Sequence, residues 1–224
     1  MGRVEWMKKS SLKHIAYHAI REKIISCEFA PNSFVNEAFL QEKTNISRTP
    51  IREALGILEQ EGLLRIFPKK GIQISDVSIN EINQLFETRS LVEPFIIKNY
   101  GDHIQFQELI RLRDTADEHM NVPESAYQWD DELHSTVAKS CFNTYLLRTL
   151  EQTKTQSLRL RVLTGRIASR LDYSKGEHIA IIDKLLLKEF DQAAELMYYH
   201  LQQSKNASFS RLIAGNGSDG KIAF

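Results

Sequence analysis

Asp130 and His134 stand four residues apart, and on a helix that spacing projects both side chains from one face. His178 and His200 lie farther along, in stretches that also read as helical. One carboxylate and three imidazoles make a donor set suited to a borderline divalent cation, with room left for water. Facing helices of a bundle are where such sites are built. The plainer reading is that each histidine hydrogen-bonds within a core, since beyond the i, i+4 pair nothing in the spacing brings the four together. If they do meet, they could instead activate water for hydrolysis. No HExxH pattern and no obvious additional general base accompanies them, which weighs against that chemistry.

A second constellation is SRTPIREAL, Ser47 to Leu55. Ser47 is a good N-cap, its hydroxyl placed to accept an orphan N–H of the first turn. Pro50 falls inside that turn, where a missing N–H costs little. Ile51, Ala54, Leu55 and Leu58 recur at helical spacing as a buried stripe. Arg48, Thr49 and Arg52 lie off the stripe, so the helix offers two guanidiniums and a hydroxyl near its start. That face suits phosphates and base edges. An ordinary capped helix with solvated arginines would look the same in isolation.

The flanking elements decide between these readings. Asn36 can cap a short helix whose apolar pair is Phe39 and Leu40, and Thr44-Asn45 forms a break before Ile46. Helix, tight turn and second helix are the parts of a helix-turn-helix. Past Gly62, a fitting C′ residue, Leu64 and Ile66 alternate, Pro68-Lys69-Lys70-Gly71 intervenes, and Ile72 and Ile74 alternate. The pattern predicts a hairpin with a basic tip, a wing beside the recognition helix. Upstream, a helix from Ser11 to about Cys27 carries Leu12, Ile15, Ala16, Ala19, Ile20 and Ile24 as its apolar stripe. Residues 1–10 are expected to fray.

After a short linker at Asp76-Val77-Ser78, Ser78-Ile79-Asn80-Glu81 fits a capping box. Helices are then expected from there through Ile97, with a kink at Pro94, and over Ile104–Met120, Ser125–Cys141, Tyr145 to about Arg170, Glu177–Lys188, and Asp191 to about Leu212. Asp191 is the expected cap of the last. No strand pattern follows Ile74. The fold class is therefore mainly α: a winged helix-turn-helix of three helices plus a β-hairpin over residues 11–75, an all-α antiparallel bundle over 79–212, and a flexible tail over 213–224.

The chain has 224 residues, 42% hydrophobic and 26% charged, with a net charge of zero. That balance hides an asymmetry. Residues 1–75 carry 12 Lys and Arg against 8 Asp and Glu, while 76–224 carry 17 against 21, which places the positive field on the DNA-reading part. No apolar run approaches the ~20 residues of a membrane span, and the first residues lack the apolar stretch of a secretory signal. Cys27 and Cys141 sit far apart in apolar helical patterns and read as buried free thiols. A cytoplasmic, reducing location is expected.

Residues 12–75 resemble the winged helix-turn-helix of the GntR transcription regulators along NEAFLQEKTNISRTPIREALGILEQEGLLRIFPKKG. One departure concerns a G-x-x-x-P-G turn common in that family. Here Cys27-Glu28-Phe29-Ala30-Pro31-Asn32 keeps the proline and replaces both glycines. Residues 79–210 resemble the FCD effector domain through WDDELHSTVAKSCFN and GEHIAIIDKLLLKEFDQAAELMYYHL. In the metal-containing branch of that domain the ligands are an Asp-x-x-x-His pair, a His beginning the penultimate helix and a His in the last. The resemblance implies that Asp130, His134, His178 and His200 bind a divalent metal ion, zinc before nickel or manganese. It further implies a cavity where a small carboxylate effector completes the site, with Arg89 of the family's R-x-x-x-E pattern orienting it. By spacing alone, Arg89 and Glu93 could equally be a helix-surface ion pair. Arg159 and Arg161 are weaker cavity candidates. Asn143 reads as a helix cap, and His14, His18, His103 and His119 match no ligand position.

The function expected is a ligand-responsive transcriptional regulator, a repressor rather than an enzyme. It would bind an inverted-repeat, double-stranded DNA operator as a homodimer through Ser47, Arg48, Thr49, Arg52, Lys69, Lys70 and Gly71. The alternatives are a metal-dependent hydrolase with an accessory DNA-binding module, and a metal-free regulator that senses acyl-CoA. The presence of all four ligand types argues against the latter.

Overall fold

A computed structural model describes residues 12–120, 123–163 and 168–216. The expected fraying at 1–10 and the end of the tail, 217–224, lie outside the described residues. The chain divides into two compact units with the boundary between Val77 and Ser78.

The first unit runs α1 (Leu12–Ile25), β1 (Phe34–Val35), α2 (Glu37–Thr44), α3 (Arg48–Gln60), β2 (Leu64–Phe67) and β3 (Gly71–Ile74). Ala16, Ile20 and Ile24 of α1 share one core with Ile51, Ala54 and Leu58 of α3. The first turn of α1 stands clear of that core, so Leu12 and Ile15 are exposed rather than part of the buried stripe. Asn36 caps α2, its Oδ1 accepting the Phe39 N–H at 2.8 Å. Asn45 then breaks the chain in the left-handed region, which asparagine tolerates better than most residues.

Ser47 occupies the N-cap position of α3 but makes no side-chain capping bond. Pro50 is the third helical residue and has no N–H, so the donor a capping hydroxyl usually meets there is absent. At the other end Gly62 takes φ 73°. The Leu63 N–H reaches Leu58 O and the Gly62 N–H reaches Glu59 O, a Schellman closure that only a residue at ease with positive φ completes without strain.

The wing is larger than a hairpin. β1 adds to it in the order β1-β3-β2, all antiparallel, with Val35 opposite Ile72 and Ile66 opposite Ile72 from the other side. A strand of two residues shows no alternation, so the pattern could not announce it. Its backbone fixes Gly71: at φ 108° a Cβ there would lie 2.9 Å from Val35 O. Cys27 and Asn32, which replace the two family glycines, both keep a glycine-like backbone at φ 60° and 61°. Cys27 thus lies in a turn beyond α1 and is half-buried, not within a helix, while Cys141 is buried just past a helix end.

The second unit is all helical among its described residues: α4 (Ile79–Tyr100), a 3-10 turn (Gly101–His103), α5 (Phe106–Met120), α6 (Pro123–Lys139), α7 (Thr144–Leu163), α8 (Ala168–Leu186) and α9 (Phe190–Asn216). The capping box forms, Ser78 Oγ accepting the Glu81 N–H and Glu81 accepting the Ser78 N–H. α4 packs along α9, α8 against α9, and α5 against both α6 and α8. Buried Leu112, Leu133, Val137, Ile181 and Leu185 fill the space between them.

Three helices differ from their expected bounds by four residues or more, and one of them, α9, runs on to Asn216, so residues 213–216 are helical rather than part of a flexible tail. α7 ends at Leu163 rather than near Arg170, and the connection at 164–167 lies outside the described residues. α8 begins at Ala168 and runs through Gly176 instead of starting after it, since one interior glycine costs only about 1 kcal/mol. Lys188 at φ 59° makes the break before α9, leaving Asp191 inside its first turn rather than at its cap. Among the described residues no helix is long and apolar enough to cross a membrane.

Candidate metal centre and nucleic-acid face

α6 presents Asp130 and His134 one turn apart, the middle of α8 supplies His178, and α9 supplies His200. The four side chains each offer one ligand atom, and these atoms all lie within 4.8 Å of one another. His178 Nε2 is 3.1 Å from His200 Nε2 and 3.2 Å from Asp130 Oδ1, and His134 Nε2 is 3.9 Å from that oxygen. Donors bound at about 2.1 Å to one ion stand roughly 3.4 Å apart in a tetrahedron and up to about 4.2 Å across the ion, so closing on a cation takes a contraction of about half an ångström or more. His178 and His200 are buried, and the Trp129 ring walls the site, 5.5 Å from that of His178. Its indole N–H is anchored on Leu112 O.

The other ring nitrogens are held from outside. His134 Nδ1 lies 2.5 Å from Glu93 Oε2, and His200 Nδ1 lies 2.8 Å from Glu177 Oε2. A carboxylate can only accept, so each Nδ1 carries a proton and each Nε2 faces inward, where a neutral ring offers its lone pair. His178 Nδ1 lies 3.5 Å from Ser174 Oγ. Burial is the main cause pushing His200 down to about 3, and the neighbouring His178 adds to it. Burial likewise drives His178 below the ordinary imidazole range, outweighing Asp130. Both are therefore neutral at neutral pH, the form a metal ligand must take.

A proton on His178 Nε2 could serve Asp130 or His200 without any metal. Nothing serves His134 Nε2, which is buried and has no hydrogen-bond partner. A buried ring nitrogen left unsatisfied is costly, and a cation among the four donors is what the arrangement fits.

Glu93 enters as a site residue that the sequence offered only as a partner of Arg89. Burial alone would raise its pKa, but Arg89 and His134 outweigh that and hold it at about 2. Arg89 Nε donates to Glu93 Oε1 at 2.6 Å and Nη1 donates to Ser157 Oγ at 3.3 Å. The pair is buried, with side-chain exposures of 8% and 3%, so the surface-pair reading is excluded. Both residues line a cavity of about 270 Å³ that His134 also lines, closed in part by Leu147, Leu150 and Thr153. Lys139 and Lys154 line it too, matched by Asp131 and Glu151. Arg159 is fully buried, the Arg161 side chain lies outside the described residues, and Asn143 Oδ1 accepts the Tyr145 N–H in the capping role expected of it.

In the first unit Ser47, Arg48, Thr49 and Arg52 stand exposed at the start of α3, with Lys69 and Lys70 exposed at the wing turn. Glu37, the first residue of α2, binds both arginines: Arg52 Nε at 2.6 Å and Arg48 Nε at 3.2 Å. Glu37 was not singled out in the sequence, because its partners are 11 and 15 residues away.

A winged helix-turn-helix ahead of a helical bundle defines a class of DNA-binding transcription regulators. Residues 12–74 match the model for bacterial regulatory proteins of the gntR family, and residues 84–203, more than half of the chain, match the FCD domain. The chain belongs to the GntR family of transcriptional regulators, in the group that carries an FCD domain. Among its relatives, the Nta operon transcriptional regulator of Aminobacter aminovorans is 28% identical over 188 residues, 80% of this chain and 86% of that one. The HTH-type transcriptional repressor RspR of Escherichia coli K12 is 22% identical over 192 residues, 84% of each. A GntR regulator structure from Rhodococcus sp. RHA1 shares the fold with a TM-score of 0.75 at 18% identity, covering 90% of this chain and 99% of that one. The relatives are regulators and not enzymes, which removes the hydrolase alternative.

Proposed function

We propose that this regulator is a repressor that binds an inverted-repeat operator as a homodimer and is controlled by a small carboxylate metabolite at a metal centre. Asp130, His134, His178 and His200 would hold a divalent cation, zinc before nickel or manganese, since three imidazoles and one carboxylate are borderline donors. The observation that carries the reading is His134 Nε2, a buried ring nitrogen with no hydrogen-bond partner, set among three other ligand atoms. When bound, the cation would supply a positive centre that attracts an anionic ligand. Arg89, on the wall of the adjoining cavity, would take the effector's carboxylate, and the metal-free acyl-CoA alternative loses ground because the donor set is complete.

Reading of DNA would fall to Ser47, Arg48, Thr49 and Arg52 on α3, with Lys69, Lys70 and Gly71 at the wing. Ser47, relieved of capping, has its hydroxyl available for a phosphate. Gly71 would contribute backbone alone. α4, which carries Arg89 and Glu93, follows β3 after only Ser75–Ser78. A shift of α4 on effector binding therefore has a short covalent route to the wing, provided the effector binds the two arrangements with different affinity.

Metal analysis of the purified full-length protein tests the centre. About one divalent ion per chain is expected in the wild type, and His178→Ala should lose both the ion and the stabilisation by carboxylates in a thermal-shift panel. Full occupancy in that variant would remove His178 from the ligand set.

A further inference from the structure

The DNA-reading face contains an acid where a polyanion must dock. A shallow hollow of about 630 Å³ between α2, α3 and the wing is lined by Arg48, Arg52 and Lys69, and Glu37 is the one acidic residue on its wall. Repulsion of phosphates by that carboxylate should weaken binding to every duplex alike. Yet its geometry is well defined. Asn36 caps α2, so the position of Glu37 is fixed by the helix it opens, and negative charge is favoured at a helix start. Each of its oxygens engages a different arginine, Oε1 with Arg52 and Oε2 with Arg48, both through Nε. Contact through Nε leaves the Nη1/Nη2 edge of each guanidinium, the edge able to make a bidentate contact to guanine O6 and N7. Glu37 remains 28% exposed while Arg48 and Arg52 are 60% and 63% exposed, so the arginines project past the acid that holds them.

We propose that Glu37 is the specificity-positioning residue of the reading head: it orders Arg48 and Arg52 for base contact and penalises binding through phosphates alone. The proposal rests on the assignment of α3 as the DNA-reading helix. An ordered arginine loses less rotamer freedom on meeting a matched base, and a carboxylate at the interface adds a cost that a mismatched site cannot offset.

The test uses the full-length protein. Wild type is first enriched against a randomised duplex pool, and the enriched duplex and a scrambled duplex are then titrated at two salt concentrations. Glu37→Ala and the isosteric Glu37→Gln should bind the scrambled duplex several-fold tighter, with a salt slope steeper by about one unit. The enriched-to-scrambled affinity ratio should fall roughly tenfold or more. In an Arg52→Ala background, Glu37→Ala should change that ratio far less, because the residue acts through the arginines. A merely structural latch between α2 and α3 would lower the melting temperature and leave the base preference intact. Glu37→Ala and Glu37→Gln that keep the same preferred bases and a ratio within about twofold would overturn the proposal, with the DNA reading unharmed. Wild type that enriches no sequence would overturn the DNA reading, and the role of Glu37 with it.

Discussion

Arginine and glutamate are paired in both units of this chain, at opposite extremes of exposure, and the contrast shows what each unit needs from its charges. Glu37 holds Arg48 and Arg52 at the surface, in water and open to salt, where such pairs contribute little to stability. Their use is orientation. Arg89 and Glu93 are buried beside His134, where neither charge could be left alone. There the pair is part of the architecture of the centre: Arg89 holds Glu93 ionised, Glu93 holds the proton on His134 Nδ1, and His134 Nε2 is thereby free to bind a cation. On the proposed DNA-reading role the first pair would exchange partners with DNA, whereas the second is buried with its partners fixed.

The widest separation between the two pairs should come from removing each acid in turn. Glu93→Ala leaves a buried guanidinium without its carboxylate and should cost about 3–5 kcal/mol, read by urea unfolding, and lower metal affinity some 10–100-fold. Glu37→Ala should leave the unfolding curve nearly unchanged. Equal, small losses for both would erase the distinction.

Acid should act on the buried centre next. His200 is depressed to about 3 from an ordinary 6.5, and Glu93 to about 2 from 4.5. In both cases the unfolded chain binds more protons across the interval, so stability rises with pH there and is lost as pH falls, first from 6.5 toward 3 through His200 and then from 4.5 toward 2 through Glu93. Each such proton contributes a slope of about 1.4 kcal/mol per pH unit. A stability profile flat between pH 6.5 and 4 in metal-free protein would contradict it, and His200→Asn should flatten the upper part of the profile.

On the exposed side, Arg52→Ala should abolish preference for the enriched duplex, a loss of tenfold or more, while melting stays at the wild-type temperature. Retained preference would take Arg52 out of the reading head. The smallest effect belongs to the turn between the first helix and the wing: Cys27→Gly should stabilise the first unit by about 1 kcal/mol or less, because it relieves a left-handed backbone. A destabilised variant would show that the thiol's packing outweighs the strain.

Much of the first unit was legible in order along the chain, because its elements are local. The Asn36 cap, the stripe at Ile51, Ala54 and Leu58, the Gly62 turn and the Lys69-Lys70 tip each depend on neighbours within a few residues. The hydroxyl of Ser47 was misjudged as a cap although the reason, Pro50 three residues on, is itself local. β1 was missed because a two-residue strand exists only through its partner β3. In the bundle, the family likeness named Asp130, His134, His178 and His200, and spacing justified the first two alone.

By itself, then, the sequence determined the order and kind of the helices and of the wing hairpin, since helix periodicity, caps and turns are written in near neighbours. Only the tertiary structure decided that α6, α8 and α9 bring three lone pairs and a carboxylate together, that Glu93 and Glu177 fix their protons, and that one acid on α2 governs two arginines on α3. Those relations join residues from 11 to 70 positions apart, and burial, which turns a proximity into a pKa shift or an unsatisfied atom, belongs to the packed chain and to no segment of it.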